Sequence, residues 1–171
     1  MKAKWDQFYK GVEDMRPYGD STTYALGADF LKGLSVEDWG CGLGWFSRFH
    51  EGPYIGVDGS CSKFATVSAD LTEYTSKTDG LFMRHILEHN HEWKKVLENA
   101  LASFQKRMVL VMFTPFSSET HVIQESVPGI PDISFNPADL TDLFEPLIVR
   151  EDSLPTETQY GSEHIFFLER K

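Results

Sequence analysis

The sequence predicts an α/β domain built on a mostly parallel sheet, with helices on both faces. Three observations carry this reading. Short apolar runs alternate with helical segments from about residue 22 to the end of the chain. The helical segments fall in the gaps between runs, where parallel strands need crossover connections. The chain has 171 residues, 41% of them hydrophobic and 13 of them Phe, which is enough apolar material for one well-packed core. The expected organisation is a single domain over 1–171.

Each element has its own justification. The first 34 residues are polar and aromatic, with turn chemistry at "MRPYGD" and a helix from Ser21 or Thr22 to about Leu31, ended by Gly33. "SVEDWG" reads as a strand entering a glycine turn, "WFSRFH" as a short helix, and "YIGVD" as an apolar strand ending in an acid. "GSCSKFA" is a turn or short helix, "TVSAD" a short strand and "GLFMRH" a buried run. "HEWKKVLENALASF" is the clearest helix. Its Trp93, Val96, Leu97, Ala100, Leu101 and Phe104 follow i, i+3, i+4, i+7 spacing. "RMVLVMFT" is a buried strand, and residues 115–135 are expected to be irregular. "NPADLTDLF" places Asn at an N-cap and Pro at the first helical position. "LIVREDSL" and "EHIFFLER" are late strands, paired as a hairpin across "PTETQYGS". Phe166 and Phe167 on the last strand pack internally or at a dimer edge, so a monomer or a homodimer is expected.

Charge and cysteine usage narrow the function. A formal net charge of -10 and a pI of about 5.0, with no Lys/Arg-rich stripe, argue against a nucleic-acid partner. Cys41 and Cys61 do not make a disulfide framework, so a reducing, cytoplasmic setting is expected. "MKAKWDQFYK" lacks an apolar signal core, and no 18-residue apolar run suggests a membrane span.

In open α/β sheets, ligands bind at the carboxyl ends of the strands. There "EDWGCGLG" places Gly40, Gly42 and Gly44 two apart, two residues after Asp38. Glycines let the chain turn sharply and let a ligand lie on the backbone. The spacing departs from the dinucleotide fingerprint G-x-G-x-x-G, because Trp45 stands where its third glycine would be. Asp58, at the end of the second strand, suits both hydroxyls of a ribose. Asp70 suits an adenine amino group, with the Leu71 amide for a ring nitrogen. Cys41, between glycines and with no histidine neighbour in sequence, reads as a small turn residue rather than a nucleophile.

In order, "VEDWGCGLG", "YIGVDGS", "SADL", "DGLFMRHILEH" and "RMVLVMFTP" resemble the motifs of the class I S-adenosylmethionine-dependent methyltransferases, over roughly residues 35–115. The resemblance implies a three-layer, Rossmann-like, seven-stranded sheet with its last strand antiparallel. It implies S-adenosylmethionine as cofactor. Asp38 and the backbone of Gly40, Cys41, Gly42 and Gly44 would hold the methionine portion, Asp58 with Gly59 the ribose, and Asp70 with Leu71 the adenine. Met83, Arg84 and His85 would line the floor beside the sulfonium. Tyr9 and Arg16 would close over the cofactor from a 1–34 cap segment, Arg16 pairing with its carboxylate.

The stretch "HILEHNH" packs three histidines and a glutamate into seven positions. His85-x-x-Glu88-His89 matches the inverted zinc-protease order. A metal pair of that kind must sit one turn apart on a helix face, whereas here His85 closes a strand and the helix starts near His91 or Glu92. A resembling methyltransferase would instead present His85 to the transferred methyl. His85 is then the expected catalytic base, with His89 or His121 in reserve. The alternative role for Glu88 or His89 is to tie the loop to the sheet by hydrogen bonds. The sequence lacks both a D/N-P-P-Y/F run and a Pro-Cys pair after the fourth strand, which argues against methylation of DNA bases. Residues 115–136 are expected to form the acceptor-side loop or lid. The expected acceptor is a hydroxyl of a small molecule or saccharide. Two other readings stay open: a metal-dependent hydrolase using His85, Glu88 and His89, and a non-catalytic cofactor-binding module.

Overall fold

The computed structural model describes residues 2–171. Helices α1 (Lys2–Tyr9) and α2 (Thr22–Phe30) precede strands β1 (Val36–Trp39), β2 (Tyr54–Asp58), β3 (Val67–Ser68) and β4 (Thr78–Arg84). Helix α3 (Trp93–Ser103) leads into β5 (Phe104–Met112), followed by the strands β6 (His121–Val127) and β7 (Ile130–Ser134). Helix α4 (Pro137–Thr141), β8 (Ile148–Pro155) and β9 (Ser162–Glu169) complete the chain. Seven strands form one sheet in the order β3-β2-β1-β4-β5-β9-β8. β1 to β5 pair in parallel, and β9 runs antiparallel between β5 and β8. This is the expected sheet with its reversed last strand.

The strand sequences sort their own side chains into two layers, because successive residues of a strand face opposite sides. Leu81 and Met83 of β4, Met108, Leu110 and Met112 of β5, and Phe166 and Leu168 of β9 enter one core. That core is closed by Val96, Leu97 and Ala100 of α3 and Leu140 of α4. Phe82, Val109, Val111, Ile165 and Phe167 enter the other, against Ala28 of α2 and Leu31. Phe46 stacks on Phe82 there, with ring centroids 3.9 Å apart. Phe166 and Phe167 are both buried, so they pack inside the fold.

Local signals account for several boundaries. Asn136 caps α4 by accepting the Ala138 N–H, with Pro137 at the first helical position, as its sequence anticipates. The start of α2 differs from expectation. Ser21 makes no capping bond, and Asp20 Oδ1 takes the Thr22 N–H at 2.9 Å instead. The "WFSRFH" segment forms only a 3-10 turn over Trp45–Arg48.

Two further expectations are corrected. Residues 115–135 are irregular only in part: 115–120 form no regular element, but β6 and β7 pair as an antiparallel hairpin across Pro128 and Gly129. Gly129 takes a φ of 74°, which the tight turn needs and glycine supplies without strain. Helix α1 is an addition. It buries none of its residues and so lacks the apolar periodicity that betrays a helix in sequence.

The buried last strand carries a stability prediction. Phe166 is fully enclosed between β5 and β8 and against Phe144. Phe166→Ala is expected to cost about 3–5 kcal/mol. At this chain length, thermal unfolding should then show a midpoint on the order of 10 °C lower.

Candidate functional site

One cavity of about 780 Å³ opens at the carboxyl ends of β1, β2 and β4. Its walls come from the turn after β1, the segments following β2 and β3, the end of β4, helix α1 and the β6–β7 hairpin. The size lies in the upper part of the range for ligand pockets, about 300–1,000 Å³.

The turn after β1 is shaped by backbone conformation. Gly40 and Gly42 have φ of 73° and 49°, which side chains other than glycine rarely adopt. A Cβ on Gly40 would lie 1.9 Å from Ile86 Cδ1, and one on Gly42 would lie 2.8 Å from the Tyr9 hydroxyl. The turn is anchored to β2. Gly40 and Cys41 donate their N–H groups to the Val57 carbonyl at 2.7 and 3.2 Å. Asp58 then accepts the Gly42 N–H on Oδ2 at 2.9 Å and the Ser60 N–H on Oδ1 at 2.8 Å. A carboxylate offers about four acceptor positions, so two remain for a ligand.

Twelve of the residues expected at the site from sequence line this cavity: Tyr9, Arg16, Gly40, Cys41, Gly42, Asp58, Gly59, Asp70, Leu71, Arg84, His85 and His89. Asp70 Oδ1 accepts both the N–H and the hydroxyl of Thr72, which holds its carboxyl below the usual range. Burial pushes the Cys41 thiol up, in keeping with a residue that is no nucleophile. Tyr9 lies over the turn from α1, and Trp5 of the same helix stacks on it. Lys2 ties α1 to the Gly59 carbonyl at 2.8 Å, and Lys4 ties it to the Pro128 carbonyl of the hairpin. The helix thus bridges the cavity mouth.

Three expected residues take other positions. Met83 is fully buried and faces the α3 layer, because its neighbours Phe82 and Arg84 occupy the opposite side of β4. Asp38 lies beneath the turn and accepts the Tyr54 hydroxyl at 2.8 Å; burial pushes its carboxyl up to about 7. Gly44 does not reach the wall; it is the N-cap, with a φ of 70°, of the 3-10 turn that begins at Trp45. The reserve base His121 is exposed and also stands outside the wall.

At the end of β4 the backbone is strained. His85 has a φ of 58°, the one positive value outside glycine among the described residues. Such conformations cost about 1–3 kcal/mol and persist where the surroundings enforce them. The ring packs 4.5 Å from Phe113 and 5.5 Å from Tyr18, centroid to centroid. Burial, the Arg84 guanidinium and His89 hold its pKa well below the ordinary histidine value. Nε2 lies 2.5 Å from Glu163 Oε1, and Arg84 Nη2 lies 2.7 Å from the same oxygen. Sequence alone does not mark Glu163 as a site residue. It opens the last strand and meets His85 only through the fold, and its sole local mark is a carboxylate at a position the strand buries.

His89 belongs to a second network. Its Nδ1 lies 2.9 Å from the Pro131 carbonyl and 3.3 Å from Asp132 Oδ1. Tyr160 donates to Asp132 Oδ2 at 2.8 Å, and Ser126 donates to the same oxygen. Glu88, fully buried and pushed up to about 7 by that burial, accepts the Phe113 N–H at 2.6 Å. Glu88 and His89 therefore tie the loop after β4 to β5 and to the hairpin. His85, Glu88 and His89 point at three different partners, and no cluster of three potential metal ligands exists among the described residues. No helix among those residues is long and apolar enough to cross a membrane.

No protein-family model matches the chain, and no curated protein sequence does. Solved structures do match. The 1,6-didemethyltoxoflavin-N1-methyltransferase of Burkholderia thailandensis, with bound 1,6-didemethyltoxoflavin and S-adenosylhomocysteine, is similar at TM-score 0.67 and 14% identity, over 89% of this chain and 80% of that one. The magnesium protoporphyrin IX methyltransferase of Synechocystis PCC 6803, with bound S-adenosylmethionine, is similar at TM-score 0.65 and 18% identity, over 88% and 79%. The [4+2]-cyclase SpnF is similar at 0.64 and 12%, over 92% and 85%. The chain has the class I methyltransferase fold.

The His89–Asp132 pair gives a pH signature. Burial opposes the Asp132 charge, but His89, Ser126 and Tyr160 outweigh it and hold the carboxyl near 2. Burial likewise opposes the His89 charge, but Asp132, Glu88 and the Pro131 carbonyl raise its pKa. The Asp132 contribution is present above about pH 3.9 and lost as pH falls toward 2. The His89 contribution is present below about pH 6.5 and lost as pH rises through its raised value. The stability gap between the wild type and Asp132→Asn, measured by urea unfolding, should therefore be widest between about pH 4 and 6.5.

Proposed function

We propose that the chain is an S-adenosylmethionine-dependent methyltransferase acting on a hydroxyl of a small molecule or saccharide, with His85 as the base. One observation carries the reading: a single cavity gathers the glycine turn, the Asp58 carboxylate, Asp70 and a strained histidine at the ends of β1 to β4. The fit to the cofactor rests on that same wall. The turn excludes any Cβ at Gly40, Asp58 keeps acceptor capacity, and Asp70 leaves Oδ2 uncommitted.

The matched structures support the reading. Two are named as methyltransferases, and those carry S-adenosylmethionine or S-adenosylhomocysteine. A further similar structure, the N-terminal domain of EvdMO1, was obtained with S-adenosylhomocysteine and D-fucose. The cyclase on the same fold means that the activity has to be argued from the site. The diverging partners of His85, Glu88 and His89 disfavour the metal-hydrolase alternative.

In this reading Asp58 binds the ribose, Asp70 and Leu71 the adenine, and the backbone of 40–42 the methionine portion, with Arg16 toward its carboxylate. The 1–34 segment caps the site and 115–136 forms the acceptor wall. When bound, S-adenosylmethionine supplies a sulfonium methyl with a ready leaving group. The protein's task is then to align the acceptor behind that methyl and exclude water, which provides much of the acceleration. His85 takes the hydroxyl proton as the new bond to carbon forms. The acidic charge and the two free thiols suit a cytoplasmic setting.

Calorimetric titration with S-adenosylhomocysteine tests the pocket: one-to-one binding by the wild type, and loss in Asp58→Ala. Failure of a folded wild type to bind contradicts the reading. Asn tolerates the left-handed backbone of position 85, so His85→Asn should stay folded and keep cofactor affinity. Its methyl transfer should fall by about 10²–10⁴-fold. Because the His85 pKa lies well below the ordinary value, the wild-type rate should be flat across neutral pH and decline only in acid.

A further inference from the structure

A neutral imidazole carries its proton on one nitrogen, and the hydrogen bond at the other end decides which. At His85 the two nitrogens have unlike surroundings. Nε2 faces Glu163 Oε1 at 2.5 Å. Nδ1 has no protein partner among the described residues, and it is not a sealed-in orphan of the kind seen at His50 Nε2. The ring lines the cavity, so Nδ1 is the nitrogen left for an acceptor.

Glu163 is itself held from several sides. It is 1% exposed. The Thr23 hydroxyl lies 3.2 and 3.3 Å from its two oxygens. Arg84 Nη2 meets Oε1 at 2.7 Å, and Arg84 is fixed in turn by Thr23 Oγ1 at 3.0 Å, the Tyr24 hydroxyl at 2.9 Å and the Tyr18 carbonyl at 2.9 Å. Burial raises the Glu163 carboxyl above its ordinary value, while the Arg84 guanidinium, which does not give up its proton in proteins, and the Thr23 hydroxyl favour the ionised form, the form in which Oε1 accepts from both neighbours. The proton between Glu163 and His85 then sits on Nε2.

We propose that Glu163 is the positioning residue that holds His85 as its Nε2–H tautomer, with the Nδ1 lone pair turned to the acceptor side of the cavity. The catalytic meaning of this rests on the reading of His85 as the base; the tautomer itself does not. Arg84 shares the same carboxylate oxygen, so the two charges offset each other. Glu163 acts by direction rather than by adding negative charge to the ring. An oxygen at the Oε1 position is therefore what matters. A glutamine can supply it, accepting from both Arg84 and His85 while its NH₂ faces Thr23 Oγ1. A leucine cannot.

The test is long-range ¹H–¹⁵N NMR of the full chain labelled with ¹⁵N-histidine, with and without S-adenosylhomocysteine. His85→Asn identifies the His85 signals. The expected wild-type pattern is a protonated Nε2 and an unprotonated Nδ1 at neutral pH. Glu163→Gln should keep it, and Glu163→Leu should show both tautomers in exchange. An Nδ1–H tautomer in the wild type overturns the proposal, as does an unchanged Nε2–H pattern in Glu163→Leu. If the leucine variant does not fold, the wild-type tautomer alone decides. Absence of any cofactor-induced change in the wild type would count against the methyltransferase reading and leave the tautomer result standing.

Discussion

One carboxylate joins the two halves of the candidate site. Asp58 ends β2 and accepts N–H groups from Gly42, in the turn after β1, and from Ser60, beyond its own strand. Without an acceptor at that point, two backbone donors beside the cavity would lose their partners, which in a buried setting costs about 1–3 kcal/mol each. The turn also needs the left-handed backbone at Gly40 and the close approach of Ile86. The shape of the pocket thus depends on the glycines and Asp58 together. The parallel register of β1 with β2 and β4 brings the turn, Asp58 and the end of β4 to the same edge of the sheet.

Around this edge the protein buries a second set of polar groups. Arg84, Glu163, His85 and Thr23 form a compact network between β4, β9 and α2. Removing one member of a buried ion pair costs about 3–5 kcal/mol, because the other charge is left unpaired. The antiparallel insertion of β9 beside β5 is what carries Glu163 to the end of β4. The reversed strand therefore has a consequence for the site as well as for the core. On the other flank, His89 and Asp132 fasten the β6–β7 hairpin to the loop after β4. His85 and His89, four residues apart in one short stretch, serve two different walls.

Much of this was legible in the sequence, for physical reasons. Short continuous apolar runs and a strongly periodic α3 mark the strands and the crossover helix, and the glycine spacing with Asp58 marks the ligand edge. The position of His85 after a buried strand argues against a metal pair with His89, and the divergent side chains agree. What was not legible depends on long-range contacts or weak local signals. Glu163 reaches His85 across 78 positions in sequence. Met83 sits in the right motif but on the wrong face of its strand. Helix α1 has no buried residue to give it a pattern. The hairpin is hard to read in the sequence although Pro128-Gly129 is a turn signal, because the prolines and the polar β6 conceal the alternation.

The glycine turn, the ends of β2 to β4 and helix α1 together enclose the S-adenosylmethionine site inferred above. Amide hydrogen exchange with and without S-adenosylhomocysteine tests this most directly. The expected result is slowed exchange in residues 40–44, 58–60 and 69–71, and in α1 across the mouth. Slowing confined to other parts of the chain, or no change at saturating ligand, would contradict it.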